Sequence, residues 1–159
     1  MAPTTLLTLI ALWASVAASA SNQITWGTVV FTYHGEKIPY LAADGSNITP
    51  YGANQLIAAG QAIRDRYVSP PVNASRSAPI NGLNPDAIDN SQISILSTDD
   101  EFISTSAMAF MQAVYPPRSA WIIDSESILS NKSLEQFPLN GYQYPNIETV
   151  GSLDFNYIW

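Results

Sequence analysis

The order of local signals along the chain limits its fold more sharply than any composition figure. Residues 26–33, W-G-T-V-V-F-T-Y, are β-branched and aromatic and read as a buried strand. A helix is expected to open at Thr49-Pro50, because Thr is a favoured N-cap and Pro suits the first helical position. Ala53, Leu56, Ile57, Gly60, Ile63, Arg64 and Tyr67 then fall at helical spacing to about Val68. Gly60 costs such a helix about 1 kcal/mol, which close packing of the helix on a sheet would offset. Residues 69–90 form a Pro-, Asn- and Ser-rich loop, long enough to be either functional or mobile. S-Q-I-S-I-L-S-T, residues 91–98, reads as a second strand. Thr98 is placed to cap the next helix, with Asp99, Asp100 and Glu101 in a first turn where the helix dipole favours negative charge. Ile103, Ala107, Phe110, Met111 and Val114 make its apolar face, and Tyr115-Pro116-Pro117 stops it. Beyond Pro117, W-I-I-D, S-I-L-S-N and Q-F-P-L-N-G-Y-Q-Y-P-N-I-E-T-V suggest short strands and turns.

Strand, helix, loop, strand, helix implies an α/β architecture with neighbouring or near-neighbouring parallel strands and right-handed crossovers. Ligands of such sheets bind beyond the carboxyl ends of the strands. His34, the only histidine, lies just past the first expected strand, and Thr98 and Asp99 lie just past the second. The two loops are therefore expected to face one pocket.

Other features set the environment. T-L-L-T-L-I-A-L-W-A-S-V-A-A-S-A, ending in Ala18-Ser19-Ala20, fits a secretory signal peptide over residues 1–20. The competing reading is an amino-terminal membrane anchor, since the run is only slightly short of a bilayer span. The small-residue cleavage pattern favours secretion, with no membrane attachment after cleavage. Three acceptor sequons, at Asn47, Asn73 and Asn131, suit a secreted glycoprotein. The absence of cysteine excludes disulfides and thiolate metal sites, and a single histidine excludes a multi-histidine metal centre. No cofactor or metal is expected. A net charge of −7 lacks the basic footprint of a nucleic-acid binder and opposes a polyanionic ligand at neutral pH. The terminal run D-F-N-Y-I-W, residues 154–159, looks like the start of a buried strand, so exposed apolar surface and poor solubility are expected.

Several of these segments agree in order with one family. Tyr33-His34-Gly35-Glu36-Lys37-Ile38-Pro39 resembles the strand-borne R-H-G-x-R-x-P motif of the secreted histidine acid phosphatases, the phytase-related branch of the histidine phosphatase (phosphoglycerate mutase-like) superfamily. Ile48-Thr49-Pro50-Tyr51-Gly52 resembles its L-T-x-x-G, followed by a helix to the basic-tyrosine pair Arg66-Tyr67. Ser97-Thr98-Asp99, Ser106-Ala107 and Pro116-Pro117 follow its S-T-D-x-x-R-T-x-x-S-A segment and helix end, and P-L-N-G-Y-Q-Y-P over residues 138–145 resembles the next segment. The resemblance implies a phosphoglycerate mutase-like α/β sandwich in truncated form, occupying residues 21–159.

The family reaction is phosphomonoester hydrolysis through a phosphohistidine. By resemblance, His34 stands at the nucleophile. Tyr33, Lys37 and Phe102 stand where three phosphate-clamping arginines are expected, and the distal His-Asp pair has no counterpart. Arginine grips phosphate through two parallel hydrogen bonds, whereas lysine offers a point charge. Tyr33 and Phe102 are expected to fill space left by guanidinium groups, and Lys37 is a degenerate phosphate-binding position. Glu36 inherits no role. The expectation is a secreted phosphatase-like protein, impaired or inactive. The alternatives are a non-catalytic protein that binds a small phosphorylated, anionic or neutral ligand in the same pocket, and a weak phosphomonoesterase completed by another chain.

Overall fold

The computed structural model describes residues 23–39, 46–117, 128–135 and 138–151. The expected leader, the W-I-I-D segment and the aromatic run at residues 154–159 lie outside the described residues.

Helix α1 (Pro50–Ile63) begins where the sequence signals place it. Thr49 has an extended backbone, and its Oγ1 accepts the Gly52 N–H at 3.0 Å. Pro50 occupies the first turn, where its missing N–H is no loss. The helix then widens into a π-helical turn, Arg64–Val68, in which Ser69 N–H donates to Arg64 O at 2.9 Å. Strand β1 (Ile95–Thr98) leads into α2 (Glu101–Val114), and after a helical turn at Pro138–Gly141 the chain forms β2 (Ile147–Val150). β1 and β2 pair in parallel, with Ile95 opposite Ile147 and Thr98 opposite Val150. Parallel neighbours need a crossover connection, and this one carries α2.

Helices α1 and α2 pack directly on one another. A Cβ at Gly60 would strike the Phe110 carbonyl oxygen and stand 2.9 Å from Ala113 Cβ. Glycine here permits a close helix-to-helix approach, so the partner of Gly60 is a helix rather than the expected sheet. Below this contact Val68, Met111, Val114 and Tyr115 form the buried core, with Ile63, Leu83, Ile88, Ile93, Ile95 and Phe110 packed around it. Burial of such side chains stabilises by about 1.5–3 kcal/mol each.

The long loop is part of this core. Leu83 and Ile88 pack on it, Tyr115 Oη donates to Asn84 O at 3.0 Å, and Arg64 Nη1 donates to Val114 O at 2.8 Å and Pro85 O at 3.2 Å. Gln143 also ties the loop down: its Oε1 accepts Ile88 N–H at 2.7 Å, and its Nε2 donates to Asp86 O at 3.2 Å. Burial pushes the Tyr115 hydroxyl above its ordinary pKa. Paired hydrogen bonds from Ser91 hold Asp89 below the usual carboxylate value.

Two expectations need correction. Residues 26–33 are not a buried strand: Trp26 is 74% and Phe31 95% exposed. Only Thr25, just before them, bridges to Ile80 in parallel, with Asn81 N–H donating to Thr25 O at 2.8 Å. Strand propensity describes fit to a pleated, half-buried surface, and among the described residues no ladder forms beside this run. The parallel partner of β1 is β2. The second correction concerns α2, whose N-cap is Asp100 rather than Thr98. Thr98 Oγ1 instead donates to Asp100 Oδ2 at 3.1 Å. The arrangement is a mixed α/β fold with helices and parallel strands. No helix among the described residues is long and apolar enough to cross a membrane.

Candidate functional site

The histidine sits in a turn clamped between the two helices. Gly35 is buried, and a Cβ there would run into the Gly52 carbonyl and lie 2.7 Å from Leu56 Cδ2. A Cβ at Gly52 would strike Glu36 O in turn. The two glycines therefore let the His34 turn rest on the first turn of α1. Thr49 N–H donates to Glu36 O at 2.9 Å, and Ile38 N–H donates to Asn47 O at 2.9 Å, which makes a short antiparallel contact between Lys37 and Ile48. Glu36 N–H donates to Gln55 Oε1 at 3.0 Å. Thr49 Oγ1, already the helix cap, donates to Glu36 Oε2 at 2.8 Å. The T-x-x-G spacing thus does two jobs: Thr49 caps α1 and Gly52 admits the turn.

The second helix supplies the other wall. The His34 ring meets the Phe102 ring edge to face, with centroids 4.7 Å apart and planes at 82°. Lys37 Nζ stands 3.8 Å from the Phe102 ring centroid, a cation–π distance. The Tyr33 ring also lies against His34, with centroids 4.2 Å apart and planes tilted by 33°. Phe102 is 7% exposed, while Tyr33 is 81% exposed and fills no interior space. The structure thus brings His34, Lys37, Phe102 and Tyr33 together. Thr98 Oγ1 is bonded to Asp100 and Asp99 N–H donates to Val150 O at 3.2 Å, while the ring that meets the histidine is that of Phe102, on the first turn of α2.

The imidazole has a defined polarity. His34 Nδ1 lies 2.7 Å from Gly35 O. A carbonyl oxygen only accepts, so in the neutral ring Nδ1 carries the proton and Nε2 keeps its lone pair. Such a ring can act through Nε2 as a nucleophile, a base or a hydrogen-bond acceptor.

The family model of the histidine phosphatase superfamily (branch 2) matches residues 30–143. The chain belongs to this superfamily. The branch 2 match begins just before the His34 turn and takes in both helices, β1 and the segment through Gln143. No curated protein and no solved structure shows significant similarity to the chain.

Of the described cations, Lys37 stands beside Phe102 at the His34 turn. Arg64 is spent on the carbonyls of Val114 and Pro85, and Arg66 lies over the ring of Tyr67, 5.1 Å from its centroid. Among the described residues, no group of three or more His, Asp or Glu side chains is placed to hold a metal ion. The sequon residues Asn47, Asn73 and Asn131 are exposed. The sequence alone did not point to Gln55, to the Thr49–Glu36 contact or to the bond that Gly35 N–H donates to Ser106 Oγ at 3.1 Å. A small polar residue four places after Phe102, on an otherwise apolar helix face, was the signal for the last of these.

Proposed function

We propose that this chain is a secreted, glycosylated histidine acid phosphatase-like protein whose pocket keeps the nucleophile position but has lost turnover. The observation that carries this reading is the Lys37 ammonium on the face of Phe102, 3.8 Å from the ring centroid, beside a histidine whose Nδ1 is turned to the Gly35 carbonyl at 2.7 Å. In the family reaction the attacking nitrogen needs its lone pair, and a neutral ring with its proton on Nδ1 keeps one on Nε2. The phosphoryl oxygens also need cations around them as the bond to the leaving group breaks. Phe102 gives no hydrogen bond to an oxyanion, Tyr33 points to solvent, and Lys37 offers one point charge without the paired donors of a guanidinium. One arginine on a transferring phosphoryl group contributes on the order of 10³ to 10⁵ in rate, and a general acid roughly 10² to 10⁴. A histidine that acts as the nucleophile is not also the general acid of the same step. The exposed sequons and the leader-like first twenty residues support a secreted glycoprotein.

The test is hydrolysis of an aryl phosphate between about pH 3 and 6, where carboxylate repulsion of the substrate falls. The expected result is the same background rate for the wild type and His34→Ala. Turnover that depends on His34 would overturn the reading.

The neighbouring Lys37 and His34 also favour a second reading, retention of a small anion without hydrolysis. In the same preparation, a rise in melting temperature with millimolar phosphate that is lost in Lys37→Ala would support it. No shift counts against it.

A further inference from the structure

We infer that Ser106 is a positioning residue for His34: its buried hydroxyl fixes the Gly35 turn and thereby holds the neutral imidazole as the Nδ1–H tautomer, with the lone pair on Nε2. The inference deepens the reading of His34 as the pocket's functional group and rests on it.

The geometry is a closed circuit. Ser106 is 3% exposed, on the face of α2 turned to the histidine turn. Its Oγ donates to Phe102 O, one helical turn back, at 2.6 Å. That bond uses the only hydroxyl proton, so the oxygen faces the turn as an acceptor. Gly35 N–H donates into it at 3.1 Å. The carbonyl of the same glycine accepts His34 Nδ1–H at 2.7 Å. Phe102, whose carbonyl anchors the serine, closes the circuit with its ring against the imidazole at 4.7 Å.

Glycine is where such pinning matters most, because its backbone is the freest of all residues. The peptide before Gly35 is held by Ser106. The peptide after it is held by Glu36 N–H on Gln55 Oε1, at 3.0 Å. The Gln55 bond is exposed and competes with water, whereas the Ser106 bond is buried and does not. A ring whose Nδ1 loses a fixed acceptor is free to move its proton to Nε2. The pocket would then present a donor where it now presents a lone pair.

The chain has one histidine, so the imidazole nitrogens give an unambiguous ¹⁵N spectrum in the full-length protein. With the ring neutral, the wild type is expected to show a protonated Nδ1 and an unprotonated Nε2. Ser106→Ala is expected to lower the ratio of Nδ1–H to Nε2–H by about five- to tenfold, the weight of one hydrogen bond. Ser104→Ala, which removes a hydroxyl bonded only within the exposed side of the same helix, should leave the ratio unchanged. A wild-type ratio in a folded Ser106→Ala protein, or an Nε2–H ring in the wild type, would overturn the inference. Should the alanine variant not fold, amide exchange in the wild type decides. Gly35 N–H is expected to exchange far more slowly than Glu36 N–H, and equal rates would overturn the proposal. These readouts need no turnover and no ligand, so a positive phosphatase assay and a failed tautomer test are separate results.

Discussion

Two adjoining stretches of backbone meet opposite fates. Residues 26–31 are apolar and strand-like, yet they stand in solvent, with Val29 80% and Phe31 95% exposed. Residues 34–38 are shorter and more polar, yet Gly35 is buried and the turn is bonded to α1, to α2 and to the segment before Thr49. The comparison shows that helices hold the His34 turn. The sheet-forming sequence that leads to it adds no support among the described residues. Side-chain character alone did not decide burial; neighbours able to receive the backbone did.

The contrast can be broken from the anchored side first. Gly35→Ala places a methyl against Gly52 and Leu56, where no flexible side chain alone can absorb it. It is expected to cost about 3 kcal/mol, the upper range for overpacking, read as a lower urea midpoint. Thr49→Ala removes the cap of α1 and the hydroxyl bonded to Glu36. The expected loss is about 1–2 kcal/mol, measured the same way. On the exposed side, Val29→Thr together with Phe31→Thr should change stability by no more than about 0.5 kcal/mol. The double variant should also bind less of an apolar dye and self-associate less in sedimentation. A large loss of stability there would show that the run is supported after all, and the comparison would fail.

The helices were legible in the sequence because their signals are local. Thr49-Pro50 marked the start of α1, the paired prolines marked the end of α2, and acidic residues gathered where α2 begins. The gathering of His34, Lys37 and Phe102 was legible through the motif resemblance, although the strand expected to deliver His34 does not form. What escaped was non-local. Residues 26–33 carry the same β-branched signature as β1, and only the position of a partner separates the two. That β1 would pair with residues 147–150 could not be read from either segment alone. Residues 69–90 read by composition as a functional or mobile loop, but Leu83 and Ile88 pack against the core, and the carbonyl of Asn84 answers a hydroxyl thirty-one positions away. Ser106 was visible as part of a motif, but its service to Gly35 depends on a contact across seventy-one positions.

The π-helical turn at Arg64–Val68 sets a rule about length. Each residue of an α-helix turns the chain by about 100°, so deleting one residue here to regularise the helix would swing Val68 out of the core and lift Arg64 away from the two carbonyls it ties together. Related sequences that keep this packing should tolerate insertions and deletions in the exposed tip around Asn73, but keep the spacing from Gly60 to Val68 constant.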